Sequence, residues 1–431
     1  MARKHRPSGI VPVPEALRAR LHQQLGPEAD DLLLALDGPS PVSIRLNPAK
    51  SIAFAGTAIP WCSNGRYLAE RPVFTLDPLF HAGCYYVQEA SSMLLEQAFL
   101  ASGLSGKDLA ALDLCAAPGG KSTHLAALLS PGSLLVSNEV DRRRQPALLE
   151  NLWKWGREGH VITGDTPERS AALGPLFDLV VVDAPCSGEG MMRKDPFARQ
   201  QWSPRLVEQC AITQANILHH AWEALRPGGV LIYSTCTWSE AEDDAAVALL
   251  LQEHDAEVVP LPDLTAHGLL RTRHGLVAYP HRVQGEGFFI AALRKPGTAS
   301  VPTEHVSGWQ ELEHDGVVHR IPAQWADTVG CIARNVRTLS AGTPWHSAGP
   351  DGRHVPHAAS AYLGRPIEGA ADLELDREQA LTFLRGEALR ADAPSGQWRR
   401  VTHLGHGLGF VRGAGNRWNN QLPSPWRIRM R

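Results

Sequence analysis

The sequence predicts an α/β fold: a doubly wound, mostly parallel sheet, preceded by a small α+β region and followed by a β-rich one. Three observations carry this. Five short apolar runs, at 111–114, 134–136, 161–162, 179–182 and 230–233, alternate with amphipathic stretches at 121–129, 145–155, 205–225 and 240–253. β-Rich runs separated by helices are the pattern of a parallel sheet covered on both faces. A glycine-rich turn, Cys115-Ala-Ala-Pro-Gly-Gly-Lys121, joins the first run to the first amphipathic stretch. After residue 300 the helical periodicity gives way to short strands, turns and scattered prolines.

Each remaining element has its own signal. Residues 10 to 36 carry apolar positions at helical spacing in Pro14-Glu-Ala-Leu-Arg-Ala-Arg-Leu21 and Asp30-Asp-Leu-Leu-Leu-Ala-Leu36. Val42-Ser-Ile-Arg-Leu46 alternates as a strand does. A strand is expected over 85–89 and a helix over 90–100. Residues 286–294 read as a late strand closing the central sheet, and 295–302, rich in proline and small residues, as a linker. Asp315-Gly316 and residues 405–409 predict tight turns. The expected domains are therefore 1–105, 106–296 and 297–431, two or three domains being ordinary for 431 residues.

Composition narrows the class. Hydrophobic residues make up 43% and charged residues 20%, the balance of a well-cored chain. No apolar run reaches the ~20 residues that cross a bilayer, and Met1-Ala-Arg-Lys-His-Arg6 leads into no apolar signal core. Seven cysteines without paired spacing point to free thiols in a reducing cytosol. The net charge of −3 means that contact with nucleic acid depends on local patches. One candidate runs from Gln397 to the end: Arg399, Arg400, Arg412, Arg417, Arg427, Arg429 and Arg431 without a carboxylate, interleaved with Trp398, Trp418 and Trp426. Such a stretch suits phosphates and unstacked bases, and suits equally a solvated basic tail around a small β core.

The glycine turn Cys115, Ala116, Ala117, Pro118, Gly119, Gly120, Lys121 ends a strand and opens a helix, so its backbone can approach a ligand and its N–H groups are free. Gly120-Lys-Ser-Thr123 resembles the end of a phosphate-binding loop. That motif demands glycine where Cys115 stands, which disfavours nucleotide triphosphate hydrolysis. Glu139 follows the second strand at roughly the ~20-residue distance at which a carboxylate holds ribose hydroxyls. Asp165 follows the third strand, where it could meet an adenine amine, and Asp183 ends the fourth. One such acid is ordinarily a cap or surface group; acids at successive strand ends mark the edge where ligands bind.

Two thiols belong to the same edge: Cys186 in Asp183-Ala-Pro-Cys-Ser-Gly188 and Cys236 in Ser234-Thr-Cys-Thr-Trp238. Carbon 5 of cytosine is a poor nucleophile. A thiolate adding to carbon 6 makes the ring enamine-like, so that carbon 5 can accept a methyl from a sulfonium donor. The carbon 5 proton must then leave and the thiol be eliminated. Such chemistry needs an accessible thiolate, a carboxylate against the ring and a base. Cys62, Cys84, Cys210 and Cys331 read as structural, and no cysteine or histidine pair has zinc-ligand spacing.

These residues identify the chain as resembling the Nol/Nop/Sun family of S-adenosylmethionine-dependent RNA cytosine-5 methyltransferases. Asp113-Leu-Cys-Ala-Ala-Pro-Gly-Gly-Lys-Ser-Thr123, Asp183-Ala-Pro-Cys-Ser-Gly-Glu-Gly190 and Tyr233-Ser-Thr-Cys-Thr237 carry the resemblance, continued by Arg193-Lys-Asp-Pro196, Leu225-Arg-Pro-Gly-Gly229 and Gly285-Glu-Gly-Phe-Phe289. Ser43-Ile-Arg-Leu-Asn-Pro48, Ile59-Pro-Trp-Cys62 and Tyr85-Tyr-Val-Gln-Glu-Ala-Ser-Ser-Met93 are similar to the bacterial RsmF-like 16S rRNA branch. Leu404-Gly-His-Gly-Leu-Gly-Phe-Val-Arg412 and Asn419-Asn-Gln-Leu-Pro-Ser-Pro425 resemble its PUA-like RNA-binding region.

The resemblance implies a Rossmann-like methyltransferase core between an N-terminal RNA-positioning domain and a PUA-like C-terminal region. It implies Cys236 as the nucleophile, Cys186 as the thiol that assists product release, and Asp183 on the cytosine and the cofactor. Residues 115–121, Glu139 and Asp165 would hold S-adenosylmethionine, with Arg144 at a basic position near it. DNA cytosine-5 enzymes use a Pro-Cys thiol placed like Cys186, so the sequence leaves the order of the two thiols open. The expected partner is 16S rRNA or the small ribosomal subunit, with no membrane and no metal, and a monomer in the cytoplasm. A tRNA substrate and a non-catalytic assembly factor are the alternatives.

Overall fold

The computed structural model describes residues 11–298, 308–347, 357–361 and 371–429. The basic N-terminus, half of the expected linker and Arg431 lie outside these residues.

The first segment forms two helices, Glu15–Leu25 and Glu28–Leu36, divided at Gly26 with φ +60°. Leu17, Leu21, Leu32 and Leu36 are buried against the central domain and share a cluster with Val180 and Trp238. A four-stranded sheet follows: β1 (Val42–Leu46), β2 (Thr57–Ile59), β3 (Cys62–Leu68) and β4 (Tyr85–Val87), in the order β2-β3-β1-β4. The helix expected over 90–100 begins as a 3-10 turn, Ser91–Leu94, and becomes α-helical at Leu95–Ala101.

The central sheet contains five adjacent parallel strands: β5 (Ala110–Asp113), β6 (Leu134–Asn138), β7 (His160–Thr163), β8 (Phe177–Asp183) and β9 (Leu225–Thr235). Their order, β7-β6-β5-β8-β9, reverses direction between β5 and β8, the position where such sheets open a crevice beyond the carboxyl ends of their strands. Alternate residues of β8 serve opposite cores, Val180 and Val182 on one face and Leu179 and Val181 on the other. Burial on both faces is why the sequence runs are continuously apolar. The covering helices are cut where the sequence dictates. Ser203 caps Pro204–Ala224 by accepting from the Leu206 N–H at 3.1 Å, and Gly156 in the left-handed region ends Gln145–Trp155.

The late strand does not close the sheet as expected. Strand β10 (Glu257–Val258) and the hairpin of β11 (Leu270–Arg271) with β12 (Gly275–Ala278) flank β13 (Phe288–Arg294), which pairs antiparallel with β9 on its other side. Strands of two and four residues are too short to leave a periodic signal.

The region after 297 contains a β14 (Trp309–His314) and β15 (Val317–Pro322) hairpin turning at Asp315 and Gly316, both with positive φ. Helix Ala326–Asn335 follows, then β16 (Thr338–Ala341) and β17 (Thr343–Ser347), β17 adding to the hairpin. Strand β16 instead pairs antiparallel with β7, completing a ten-stranded central sheet among the described residues. Residues 338–341 thus belong physically to the central domain, beyond the boundary expected at 297. The last unit is a five-stranded sheet of β18 (Ala371–Glu374), β19 (Leu389–Ala393), β20 (Trp398–His403), β21 (His406–Gly413) and β22 (Gly415–Asn420), with helix Arg377–Leu384. Its core is continuous with the N-terminal sheet through Ile44, Phe74, Tyr85, Phe383 and Val401.

Two of the interleaved tryptophans pack inward, Trp418 buried and Trp426 half-buried. Trp418 is 3% exposed, and Trp426 stacks on Trp153 of the central domain at 6.0 Å. They therefore hold the C-terminal unit together and onto its neighbour; the exposed members of that stretch are Arg412, Arg417 and Arg429. No helix among the described residues is long and apolar enough to cross a membrane.

Candidate active site

Five parallel strands deliver their carboxyl ends to one edge, and the expected residues stand there. The turn after β5 carries half-buried Cys115, then Ala116 and Ala117, a cis Ala117–Pro118 bond, and Gly119 at φ +112° as the N-cap of helix Gly120–Leu128. A side chain at Gly119 would be strained at that φ and would press on Asn151. Glu139, 3% exposed, follows β6 and reaches back to the turn, accepting from the Ala117 N–H at 3.2 Å and from Arg144 at 3.3 Å. Arg144 also donates to the Ala117 carbonyl, so it braces the turn instead of lying free. Val140, next in sequence, is 56% exposed, an apolar platform beside a carboxylate that composition gave no reason to single out.

Asp165 sits after β7 with its carboxylate accepting from the Thr166 N–H at 2.9 Å and from the Arg337 N–H at 3.0 Å. Arg337 was invisible to sequence reasoning because it arrives with β16, from 172 residues away. Lys121 turns from the glycine loop onto Asp183, Nζ to Oδ1 at 2.7 Å, beneath the Phe288 ring. Ser234 donates to the same Asp183 oxygen at 3.0 Å. Asp113 lies fully buried below, accepting from the Ser122 hydroxyl at 2.6 Å, and its other oxygen has no protein partner. Burial pushes this carboxyl up to about 7.

The two thiols meet. β8 and β9 pair in register with Asp183 opposite Ser234, and the chains beyond them bring Cys186 Sγ to 2.9 Å from Cys236 Sγ. Both cysteines are free and half-buried. The Cys236 sulfur against it, then burial, pushes the Cys186 thiol well above its ordinary range. The two sulfurs are close enough to pass a proton between them. Asp183 stands at the end of the same strand, three residues before Cys186. The arrangement offers a nucleophilic sulfur, a second sulfur able to exchange protons with it, and a carboxylate able to orient a polar ring.

Three family models match the chain in order along its length. Residues 13–90 match the N-terminal domain of 16S rRNA methyltransferase RsmF, 104–294 match 16S rRNA methyltransferase RsmB/F, and 370–428 match the methyltransferase RsmF PUA domain. In each of these three stretches the chain is similar to the RsmB/F methyltransferases. Among its relatives, ribosomal RNA small subunit methyltransferase F of Escherichia coli O6:H1 is 39% identical over 295 residues, covering 63% of this chain and 60% of that protein. The protein of the same name from Shigella boydii serotype 18 is 38% identical over 294 residues, with the same coverage. The chain thus spans about 60% of the length of the curated relatives it matches. A methyltransferase homolog from Pyrococcus horikoshii superposes with TM-score 0.56 at 26% identity, over 65% of this chain and 95% of that one. NSun6 from Pyrococcus horikoshii, solved with SFG, gives 0.57 at 20% identity over 67% and 100%, a likeness of fold.

The stretch similar to RsmB/F, 104–294, contains the glycine turn and both cysteine motifs. That similarity leaves to the structure the groups that hold them, chiefly Arg45, Gln214, Glu242 and Arg337. One further cluster draws on three separate segments: His124 Nε2 lies 3.2 Å from Glu96 and 3.8 Å from Cys62 Sγ, all buried. Burial lowers His124 to about 4, so this is a neutral imidazole hydrogen-bonded to a carboxylate.

Proposed function

We propose that this chain is an S-adenosylmethionine-dependent RNA methyltransferase that transfers a methyl to carbon 5 of cytosine in 16S rRNA through a covalent cysteine adduct. The observation that carries the proposal is the contact of the two thiols, 2.9 Å apart, at adjacent strand ends beside Asp183.

The strand-end groups suit the methyl donor. Glu139 offers acceptor oxygens for ribose hydroxyls, Asp165 for an adenine amine, and exposed Val140 a face for the base. Asp183 places a carboxylate beside the turn, and Asp113 below it keeps one buried oxygen without a protein partner. Bound there, S-adenosylmethionine would supply an electrophilic methyl group.

The chain's own residues do the rest. Asp183, fixed by Lys121 and Ser234, orients the flipped-out cytosine through its polar ring edge. Cys236 adds as thiolate to carbon 6, forming the S–C6 bond and moving the ring electrons to carbon 5. Once Cys236 is bonded to carbon, its sulfur no longer shares a proton with Cys186. Cys186 can then ionise to solvent and take the proton from methylated carbon 5. The C5–H electron pair restores the C5–C6 double bond, and Cys236 leaves as thiolate. Positioning of the RNA falls to exposed Arg412, Arg417 and Arg429, whose contacts set register without reading sequence.

The test is incubation of the protein with S-adenosylmethionine and 16S rRNA or small subunits, followed by nucleoside mass spectrometry. The proposal expects 5-methylcytidine in the 16S fraction. Methylation of tRNA alone, or of no RNA, refutes it.

A further inference from the structure

The Cys186–Cys236 contact has to be held by something, because each thiol sits on a loop beyond its strand. The loop of Cys186 is fixed on both sides of the cysteine. Before it, the Pro185 carbonyl accepts from Gln214 Nε2 at 2.9 Å. After it, Ser187 gives its backbone N–H to Glu242 Oε2 at 2.8 Å and its hydroxyl to Glu242 Oε1 at 2.5 Å. Gln214 Nε2 also donates to Glu242 Oε2 at 3.1 Å, closing the group.

Glu242 belongs to the other loop. It lies six residues after Cys236, its N–H donates to the Ser239 carbonyl at 2.9 Å, and its carbonyl accepts from the Tyr233 hydroxyl at 2.5 Å. A cross-tie of Gly190 N–H to the Cys236 carbonyl at 2.9 Å completes the connection. Glu242 and Gln214 are both 0% exposed. Among the described residues no cationic side chain pairs with this carboxyl group; it is compensated by three donors, all of which serve to fix the Cys186 loop. A buried anion is costly unless fully hydrogen-bonded, so the side chain and its partners are locked in one arrangement.

We propose that Glu242, supported by Gln214, is the positioning residue that holds Cys186 on Cys236, and thereby sets the release step of the reaction. The release step rests on the cysteine-adduct reading above; the positioning itself does not. Glu242→Leu keeps much of the volume but accepts from neither the Ser187 N–H nor its hydroxyl. Both donors lose their partner, and the Cys186 loop is free to move away. Gln214→Leu removes the Pro185 tie and one donor to Glu242 without placing any new charge. A displacement near 1 Å between reacting groups costs about 100-fold in rate.

The experiment has two readouts on the same purified proteins. In the first, the protein alone is treated with diamide, which takes two electrons and two protons from a pair of thiols to leave a disulfide and the reduced hydrazine. The Cys186–Cys236 peptide pair is followed by mass spectrometry. Wild type is expected to form that disulfide rapidly and both variants about 100-fold more slowly. In the second, protein and small-subunit rRNA are incubated with S-adenosylmethionine, and the protein–RNA adduct is resolved on a denaturing gel. Both variants are expected to accumulate adduct relative to wild type. Wild-type disulfide rates in a variant with an unchanged melting temperature overturn the inference. Should Glu242→Leu fail to fold, Gln214→Leu carries the same test. Slowed disulfide formation with no rRNA methylation by wild type would leave the positioning role standing and defeat the proposed function instead.

Discussion

Replacing Arg45 with alanine should do damage out of proportion to its distance from the thiols. Arg45 lies on β1 with 0% exposure and no carboxylate against it. Its guanidinium donates to Gln88 Oε1 at 2.8 Å, to Thr123 Oγ1 at 2.6 Å, and at 3.3 Å to the carbonyls of Gly120 and Thr123. It also sits 4.5 Å from the Trp155 ring centroid. Burial pulls its pKa down to about 10, so it stays charged at neutral pH. Arg45→Ala leaves Gln88 and Thr123 with unpaired acceptors, at about 1–3 kcal/mol for each buried group, and forfeits a desolvated cation–π contact of about 2 kcal/mol. Relief of the guanidinium's own desolvation offsets part of this. A net loss of about 3 kcal/mol, set against the unfolding entropy of a chain of 431 residues, corresponds to a fall in Tm of roughly 3 °C. Three of the four lost bonds end on the first turn of helix Gly120–Leu128, so the glycine turn should also loosen. The assay is thermal unfolding with and without S-adenosylhomocysteine, together with calorimetric binding of that ligand. A Tm within about 1 °C of wild type and an unchanged affinity would refute the reasoning.

Three further outcomes follow from the same coordinates. Asp113 titrates near 7 in the folded chain against an ordinary value of 3.8, so its contribution to stability is complete in acid below that lower value and is lost as pH rises through about 7. Asp113→Asn should therefore gain Tm relative to wild type on going from pH 5 to pH 8, and parallel Tm curves would contradict this. A Cβ at Gly287 would stand 2.1 Å from the Trp238 ring and 2.8 Å from Gly190 Cα, so Gly287→Ala should lower Tm by overpacking worth about 1–3 kcal/mol and depress turnover through the Cys236 loop. Trp426→Ala should cost about 1 kcal/mol by removing the stack on Trp153 and the nearby Lys154 ammonium, read as faster limited proteolysis of the C-terminal unit.

The parts of the fold legible in the sequence are those governed by local rules. Helices Gln145–Trp155 and Pro204–Ala224 announce themselves through periodicity and end residues, and the five parallel strands through apolar runs between them. The strand-end residues were legible because chain order and strand ends coincide in such sheets. What escaped is non-local. Strand β16 reads as one more short strand of the C-terminal region, yet its partner is β7 and it carries Arg337 onto Asp165. Arg45 sits in an alternating strand and looks like an outward-facing charge, while its bonds run to a helix 75 to 78 residues away. Glu242 falls in an acidic stretch, Glu240-Ala-Glu-Asp-Asp244, that composition reads as solvated, although Glu242 is buried. The C-terminal tryptophans mislead for the converse reason: sequence spacing beside arginine does not tell an exposed ring from one packed on Trp153.

The central claim is that Cys236 makes the bond to the pyrimidine and Cys186 ends it. Its most direct test is mass spectrometry of wild type, Cys236→Ala and Cys186→Ala after incubation with S-adenosylmethionine and small-subunit rRNA, scoring both 5-methylcytidine and trapped protein–RNA adduct. The account predicts that Cys236→Ala yields neither, while Cys186→Ala methylates the RNA and stays attached to it. Loss of the adduct in Cys186→Ala, with Cys236→Ala still attached to RNA, would exchange the two thiols and contradict it.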